Sequence, residues 1–197
     1  ASESQVDMIA HRLGMDPYEL RIKNLKKLGE PFVPGESGID SDPAEGLDAV
    51  AGELGWAGAE VDVDPETGKV TVLQLVASGD VGKAINTLVC RGQDEGAAVM
   101  GLGQALFEEM RYDGGVLLNG EALDYRVPMA EDLPVRFVSI TQEQGHGPGP
   151  FGAKGAGEGA MVPVAAAIAN AVHDATGARI TELPLSPERV FNALRAV

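Results

Sequence analysis

The spacing of hydrophobic positions changes along the chain, and each change marks an element. Residues 4–13 repeat on a helical period and stop at Gly14, a residue suited to the left-handed turn that closes a helix. Three later helix starts share one signature, a capping side chain followed by proline: Asp16-Pro17 with Glu19, Asp42-Pro43 with Glu45, and Ser186-Pro187 with Glu188. The cap satisfies a free N–H, and proline loses nothing where the N–H has no helical partner. Residues 1–29 therefore read as a helical pair. Residues 30–41, with Pro31, Pro34, Gly35 and Gly38, read as a connector.

From Glu60 the period becomes two. Glu60 to Asp64 alternates, Pro65-Glu66-Thr67-Gly68 turns, and Lys69 to Val76 forms a second strand, which predicts a hairpin. Residues 90–110 return to helix, with Val99, Leu102, Leu106 and Met110 on one face. Val116 to Leu118 and Val135 to Ile140 are further strands, and Thr141 to Gly157 is a loop rich in glycine and proline. An alanine-rich helix spans Met161 to Thr176 before Gly177, and a short strand at Ile180 to Leu185 precedes the last helix. No internal repeat is present. The pattern is α+β, with a helical segment and connector over residues 1–56 and an α+β unit over 57–197.

Composition narrows the function classes. Among 197 residues, aromatics are only 5% and hydrophobic residues 44%, so the core must rest on Ala, Val, Leu and Ile. Fifteen basic against 30 acidic residues give a net charge of −15, which repels nucleic acid and anionic membranes. No apolar stretch is long enough to cross a bilayer. The first residues, Ala1-Ser2-Glu3-Ser4, lack the basic and apolar regions of a signal peptide, so a cytoplasmic location is expected. The one cysteine, Cys90, excludes an internal disulfide and reads as a small buried hydrophobe.

The candidate chemistry lies in two glycine-rich stretches. In Phe151-Gly152-Ala153-Lys154-Gly155-Ala156-Gly157-Glu158 the glycines let the backbone approach a ligand, and a helix is expected directly afterwards. Glu158 would then sit at the positive helix end, which favours its charged form, while burial beside apolar neighbours would oppose it. Such opposed effects suit a general base. Ordinary helix capping is the plainer reading of the same residue. In the 90–110 helix, Gly92, Gly96 and Gly103 fall within roughly 40° of one another. Each costs on the order of 1 kcal/mol relative to alanine, so something must pack close to that stripe, a backbone or a flat cofactor. Gln93 beside it offers both a donor and an acceptor to a heterocycle. Neither glycine loop has the spacing of a dinucleotide or phosphate loop. His11, His146 and His173 share no ligand spacing, and no metal ligand set is visible.

Together these stretches resemble the C-terminal region of the large, molybdopterin-binding subunit of the xanthine dehydrogenase and aldehyde oxidase family, the molybdenum hydroxylases. The resemblance runs through Asp80-Val81-Gly82-Lys83-Ala84-Ile85-Asn86, then Gly92-Gln93-Asp94-Glu95-Gly96 and Gly101-Leu102-Gly103-Gln104-Ala105-Leu106. It continues in Asp124-Tyr125-Arg126-Val127-Pro128, in Ala153 to Gly159, and in Leu183-Pro184-Leu185-Ser186-Pro187-Glu188. The family implies a mixed sheet packed with helices, as in the C-terminal subdomain of the molybdopterin-binding domain. It implies an oxidoreductase that hydroxylates an aldehyde, purine, N-heterocycle or similar small molecule with molybdenum-bound oxygen. Glu158 becomes the catalytic base, and Gly92, Gln93, Gly96, Lys154, Gly155 and Gly157 become contacts for a molybdenum–molybdopterin cofactor. FAD and 2Fe-2S clusters belong to partner subunits or domains.

The sequence also departs from the family. Residues Gly46–Trp56 lead almost directly into the Glu60 strand, where the family carries a long intervening region, and the large subunit is several times longer. Thr87 follows Asn86 in place of the usual proline, and Ala160-Met161 follows Gly159 in place of a small residue and threonine. The chain is not expected to enclose the cofactor alone. A non-catalytic interaction or assembly module with the same fold is the alternative.

Overall fold

The helix starts are capped as their residues dictate. The computed structural model describes residues 2–31, 33–54, 58–145 and 147–196. Helix α1 covers Ser2–Leu13, and α2 covers Pro17–Asn24, where the Asp16 carboxylate accepts from the amides of Tyr18 at 2.8 Å and Glu19 at 3.1 Å. Arg21 then ties α2 to α1 through Asp7 at 2.6 Å and Glu3 at 3.0 Å. Helix α3, Pro43–Leu54, begins under Asp42, which accepts from the amide of Ala44 at 2.9 Å. The boundary drawn after Trp56 lies outside the described residues.

Strands β1 (Ala59–Val63) and β2 (Val70–Asp80) form the expected hairpin. Its turn is braced by Asp64, which accepts from the Glu66 amide at 2.8 Å and the Thr67 hydroxyl at 2.6 Å. Strand β5 (Arg136–Gln142) lies parallel to β2, in register from Gln74 opposite Arg136 to Asp80 opposite Gln142. The sheet order β1-β2-β5 is mixed, as the resemblance implies. Leu75, Val76 and Ala77 are buried in succession, so both faces of β2 are covered. Helix α3 packs against β2, and α4 (Thr87–Leu106) packs against β2 and β5. Helix α5 (Val164–Thr176) lies on β1 and α4, and α6 (Pro187–Leu194) closes the chain. The core joins Val72 and Leu75 of the sheet to Ala97, Ala98, Leu102 and Ala105 of α4, with Val164, Ile168, Val172, Leu185 and Val190. Among the described residues no helix is long and apolar enough to cross a membrane.

The small side chains decide how near α4 comes to its neighbours. A Cβ at Gly101 would lie 2.7 Å from the Cβ of Val164 and 2.8 Å from the carbonyl oxygen of Met161. Gly101 is therefore a packing glycine of this helix, and sequence reasoning did not place it on the close-packed stripe.

Four elements differ from expectation. Helix α4 starts at Thr87, because the Asn86 side chain caps it by accepting from the Val89 amide at 3.1 Å. It ends at Leu106, where Phe107 and Glu108 both donate to the carbonyl of Gly103, so Met110 falls beyond the helix and is exposed. Residues 180–185 form no strand. Pro184 has no amide to donate, and the Leu185 amide is used on the Ala105 carbonyl at 2.7 Å. The expected helix from Met161 is a 3₁₀ turn at Gly159–Met161 followed by α5, because Pro163 cannot donate into a continuous ladder. Finally, β4 (Val116–Leu117) has a partner missed in the sequence, β3 (Tyr112–Asp113), across Gly114-Gly115, both at positive φ.

Asp94 on α4 is only 5% exposed, and its Oδ2 has no hydrogen-bond partner among the described residues. Gly79 faces it, since a Cβ there would lie 3.2 Å from Oδ1. Burial holds this carboxyl above the usual carboxylate range. A raised folded value means its stability contribution is whole below the unfolded value and is lost as pH rises through the folded one. Asp94→Asn should therefore raise stability near neutral pH by about 1–3 kcal/mol, with the gain vanishing below about pH 4. Urea unfolding at several pH values checks this, and a gain independent of pH would count against it. Gly101→Ala should cost about 1–3 kcal/mol by overpacking, since the new methyl meets backbone as well as Val164. The same unfolding assay reads it.

Candidate functional site

Because β2 and β5 are parallel, their carboxyl ends lie side by side, at Asp80 and Gln142. Ligand crevices in such sheets open at this end. The Asp80 carboxylate gathers three donors there: the amides of Gly82 at 3.0 Å and Gln144 at 2.9 Å, and the Lys154 ammonium at 2.6 Å. Lys154 also donates to Asp40 at 2.7 Å, so one cation bridges the sheet end and the connector. Burial works against the charge on Asp80, but the Lys154 hydrogen bond and the two amides outweigh it and hold the carboxyl below its ordinary value. Burial likewise works against the charge on Lys154, and its two carboxylates reverse the effect and raise its value.

The backbone of the loop is fastened to the same place. Lys154 donates to the Val81 carbonyl at 2.8 Å, Lys83 donates to Gly152 at 3.1 Å, and Gly147 also donates to Gly152 at 2.8 Å. The approach at Gly82 is tight enough that a Cβ would lie 2.9 Å from Cγ of Lys154. Phe151 holds φ +58, the one non-glycine residue at positive φ among those described, and is 86% exposed. A side chain in that region costs of order 1–3 kcal/mol, which the fastened loop must offset.

Glu158 occupies the cap position of the Gly159–Met161 turn, with its carbonyl accepting from the Met161 amide at 3.1 Å. Its side chain is exposed and makes no hydrogen bond or ion pair among the described residues. The expected burial beside apolar neighbours is absent, and the expected α-helix does not follow directly, because Pro163 delays it. Gln93 is close to this loop, since a Cβ at Gly157 would lie 3.8 Å from its Oε1. Gln93, Gly92 and Gly96 are exposed on α4, and among the described residues no neighbouring group lies within 4 Å of a Cβ at Gly92, Gly96 or Gly155. Gly103 differs. It is buried, and a Cβ there would meet Pro128 at 2.8 Å and the Glu108 carboxylate. The glycine stripe thus splits into an open part near Glu158 and a part covered by the chain itself.

Cys90 is half-buried, and its neighbours Leu88 and Val89 are exposed. His146 lies outside the described residues. Sequence reasoning missed Asp40 and Gln144, which join the connector to the loop. Gln144 accepts from the Asp42 amide at 3.0 Å and donates to Glu45. Two cavities lie elsewhere. A groove of about 1010 Å³ runs between α1–α3 and the β1, β2 and α5 surface, and one of about 380 Å³ adjoins Lys69, Phe107 and Arg126. Neither is lined by Glu158 or Gln93, both of which are exposed.

Residues 29–134 match the family model described as the molybdopterin cofactor-binding domain. The chain is 32% identical over 194 residues to the 6-hydroxypseudooxynicotine dehydrogenase complex subunit gamma of Paenarthrobacter nicotinovorans, covering 97% of this chain and 23% of that protein. It is 42% identical over 143 residues to a putative xanthine dehydrogenase molybdenum-binding subunit of Escherichia coli (strain K12), covering 70% of this chain and 18% of the relative. The crystal structure of quinoline 2-oxidoreductase from Pseudomonas putida 86 superimposes with a TM-score of 0.63 at 32% identity, over 68% of this chain and 18% of that one. The chain thus spans about a fifth of the length of these relatives. With the fold, the family match over residues 29–134 and these relatives in agreement, this chain belongs to the molybdopterin cofactor-binding domain family of the molybdenum hydroxylases.

Proposed function

We propose that this chain forms part of a molybdenum hydroxylase, one wall of its cofactor and substrate site, with Glu158 as the base. The observation that carries the reading is the meeting of Gly157 with Gln93. It brings the end of the Glu158 loop beside the stretch of α4 where Gly92 and Gly96 stand open. These glycines cost helix stability and, among the described residues, nothing packs on them, which suits a flat group lying against the backbone. The molybdenum–molybdopterin group fits these residues, and when bound it would supply the redox and oxygen-transfer chemistry.

The chain's own residues do the rest. Gln93 offers an amide donor and acceptor to the pterin heterocycle, and Gly92 and Gly96 allow close approach. Gly155 and Gly157 carry the loop past the cofactor, and Glu158 takes a proton at its carboxylate oxygen. Lys154 stands at the root of this loop. The substrate is a small molecule such as an aldehyde, a purine or an N-heterocycle. FAD and 2Fe-2S centres belong to other subunits or domains, which complete the assembly in the cytoplasm. The division at residue 56 separates a helical segment from the cofactor-binding unit. The exposure of Glu158 favours a second reading as a non-catalytic assembly module.

Two experiments decide between them. Glu158→Gln in the intact, cofactor-loaded protein should lower turnover by at least about 100-fold while molybdenum and pterin content stay unchanged. Retained turnover removes Glu158 from the base role and leaves the module reading. Gly92→Ala and Gly96→Ala should each stabilise the helix by roughly 0.5–1 kcal/mol, because the added methyl meets open space. Both should also lower the pterin content of the purified protein, measured by release and fluorescence. Unchanged pterin content would show that the cofactor does not lie on this face.

A further inference from the structure

Between Lys154 and the Gly159–Met161 turn, residues 155–157 make no backbone hydrogen bond among the described residues. Glu158 therefore hangs on a three-residue tether, two of whose members are glycines. Its place is set by what fixes the two ends. At the far end, the Met161 amide holds the Glu158 carbonyl, and Met161 is pressed against Gly101 of α4. At the near end stands Lys154, whose ammonium binds both Asp80 and Asp40 while its amide binds Val81. The Lys154 and Asp80 side chains are 16% and 18% exposed, so solvent screens this pair less than a surface pair.

We propose that Lys154 is a positioning residue for Glu158, an ionic clamp that roots the tether by joining the end of β2 at Asp80 to the connector at Asp40. The proposal rests on the reading of Glu158 as base. It assigns Lys154 a role distinct from cofactor contact, since two of its three ammonium donors are already committed to carboxylates. It also makes the connector part of the site. Asp40 is 114 residues from Lys154, and the Asp42 amide and Glu45 carboxylate reach Gln144 on the same loop. A purely structural ion pair would stabilise the fold without governing the chemistry, and the two roles separate experimentally.

The test uses the intact, cofactor-loaded protein with Lys154→Met, Lys154→Arg and Asp40→Asn. Lys154→Met should lower kcat at least tenfold with KM little changed and molybdenum content retained. The amides of Lys83, Gly147 and Lys154 should exchange hydrogen at least tenfold faster, while the Leu102 amide in the core keeps its protection. Lys154→Arg should recover most of kcat, because a guanidinium can serve two carboxylates. Asp40→Asn leaves the Asp80 pair in place and should fall between, which keeps the test decisive if Lys154→Met does not fold. Faster loop exchange with unchanged kcat would overturn the positioning role. So would a loss of molybdenum in step with turnover, which would make Lys154 a cofactor ligand. If Glu158→Gln stays active the base reading fails, and the exchange data still report whether the clamp exists.

Discussion

The carboxylate of Asp80 is the point on which the candidate site depends. It ends the longest strand and takes two amides and an ammonium, from Gly82, Gln144 and Lys154. Each donor belongs to a segment that would otherwise leave the sheet independently: the turn into α4, the end of β5, and the loop toward Glu158. A half-buried carboxylate is stabilised in such a place by hydrogen bonding, and three charge-assisted bonds do this. The contrast with Asp94 is instructive. That carboxylate is more deeply buried, keeps one oxygen without a partner, and is pushed toward its neutral form. Two aspartates fourteen positions apart thus have opposite electrostatic fates, decided by whether loops converge on them.

Small residues set the other constraint. Aromatics are scarce, so the core closes through Ala97, Ala98, Ala105 and Ala160, and Gly101 lets the Met161 carbonyl approach α4. That contact places the turn after Glu158. The same helix carries glycines with opposite uses. Gly101 and Gly103 are filled by the chain itself, while Gly92 and Gly96 are open. Sequence spacing put Gly92, Gly96 and Gly103 on one stripe correctly, yet spacing cannot tell a filled gap from an open one. That distinction depends on Pro128 and Glu108, which reach Gly103 only through the tertiary fold.

Local chemistry was legible in the sequence wherever it was self-contained. The caps at Asp16, Asp42 and Ser186, the hairpin turn at Asp64 to Gly68 and the left-handed stop at Gly177 all follow from residues within a few positions. The grouping of Gln93 with the Glu158 loop was legible only through family resemblance. What stayed hidden was carried by distant pairs. Nothing local announces that β5 will pair in parallel with β2, or that Asp40 will meet Lys154. The segment at 180–185 misled because its hydrophobic pattern suits a strand, while Pro184 and the use of the Leu185 amide on α4 remove the donors a ladder needs.

The openness of the site follows from the same geometry. A carboxylate that takes a proton in catalysis works best where water is excluded, because fixed dipoles then replace a hydration shell that would have to reorganise. Here Glu158 is exposed, Phe151 projects into solvent, and among the described residues nothing covers Gly92 and Gly96 of α4. What this chain supplies is placement: an exposed carboxylate on a short tether between Lys154 and Met161, beside an open stretch of helix backbone. If this carboxylate acts as proposed, dryness has to come from whatever covers that surface. The strained backbone at Phe151 is consistent with this division of labour. An exposed aromatic held at φ +58 contributes no burial to this chain, so its conformation is maintained by the hydrogen bonds of the loop that presents it.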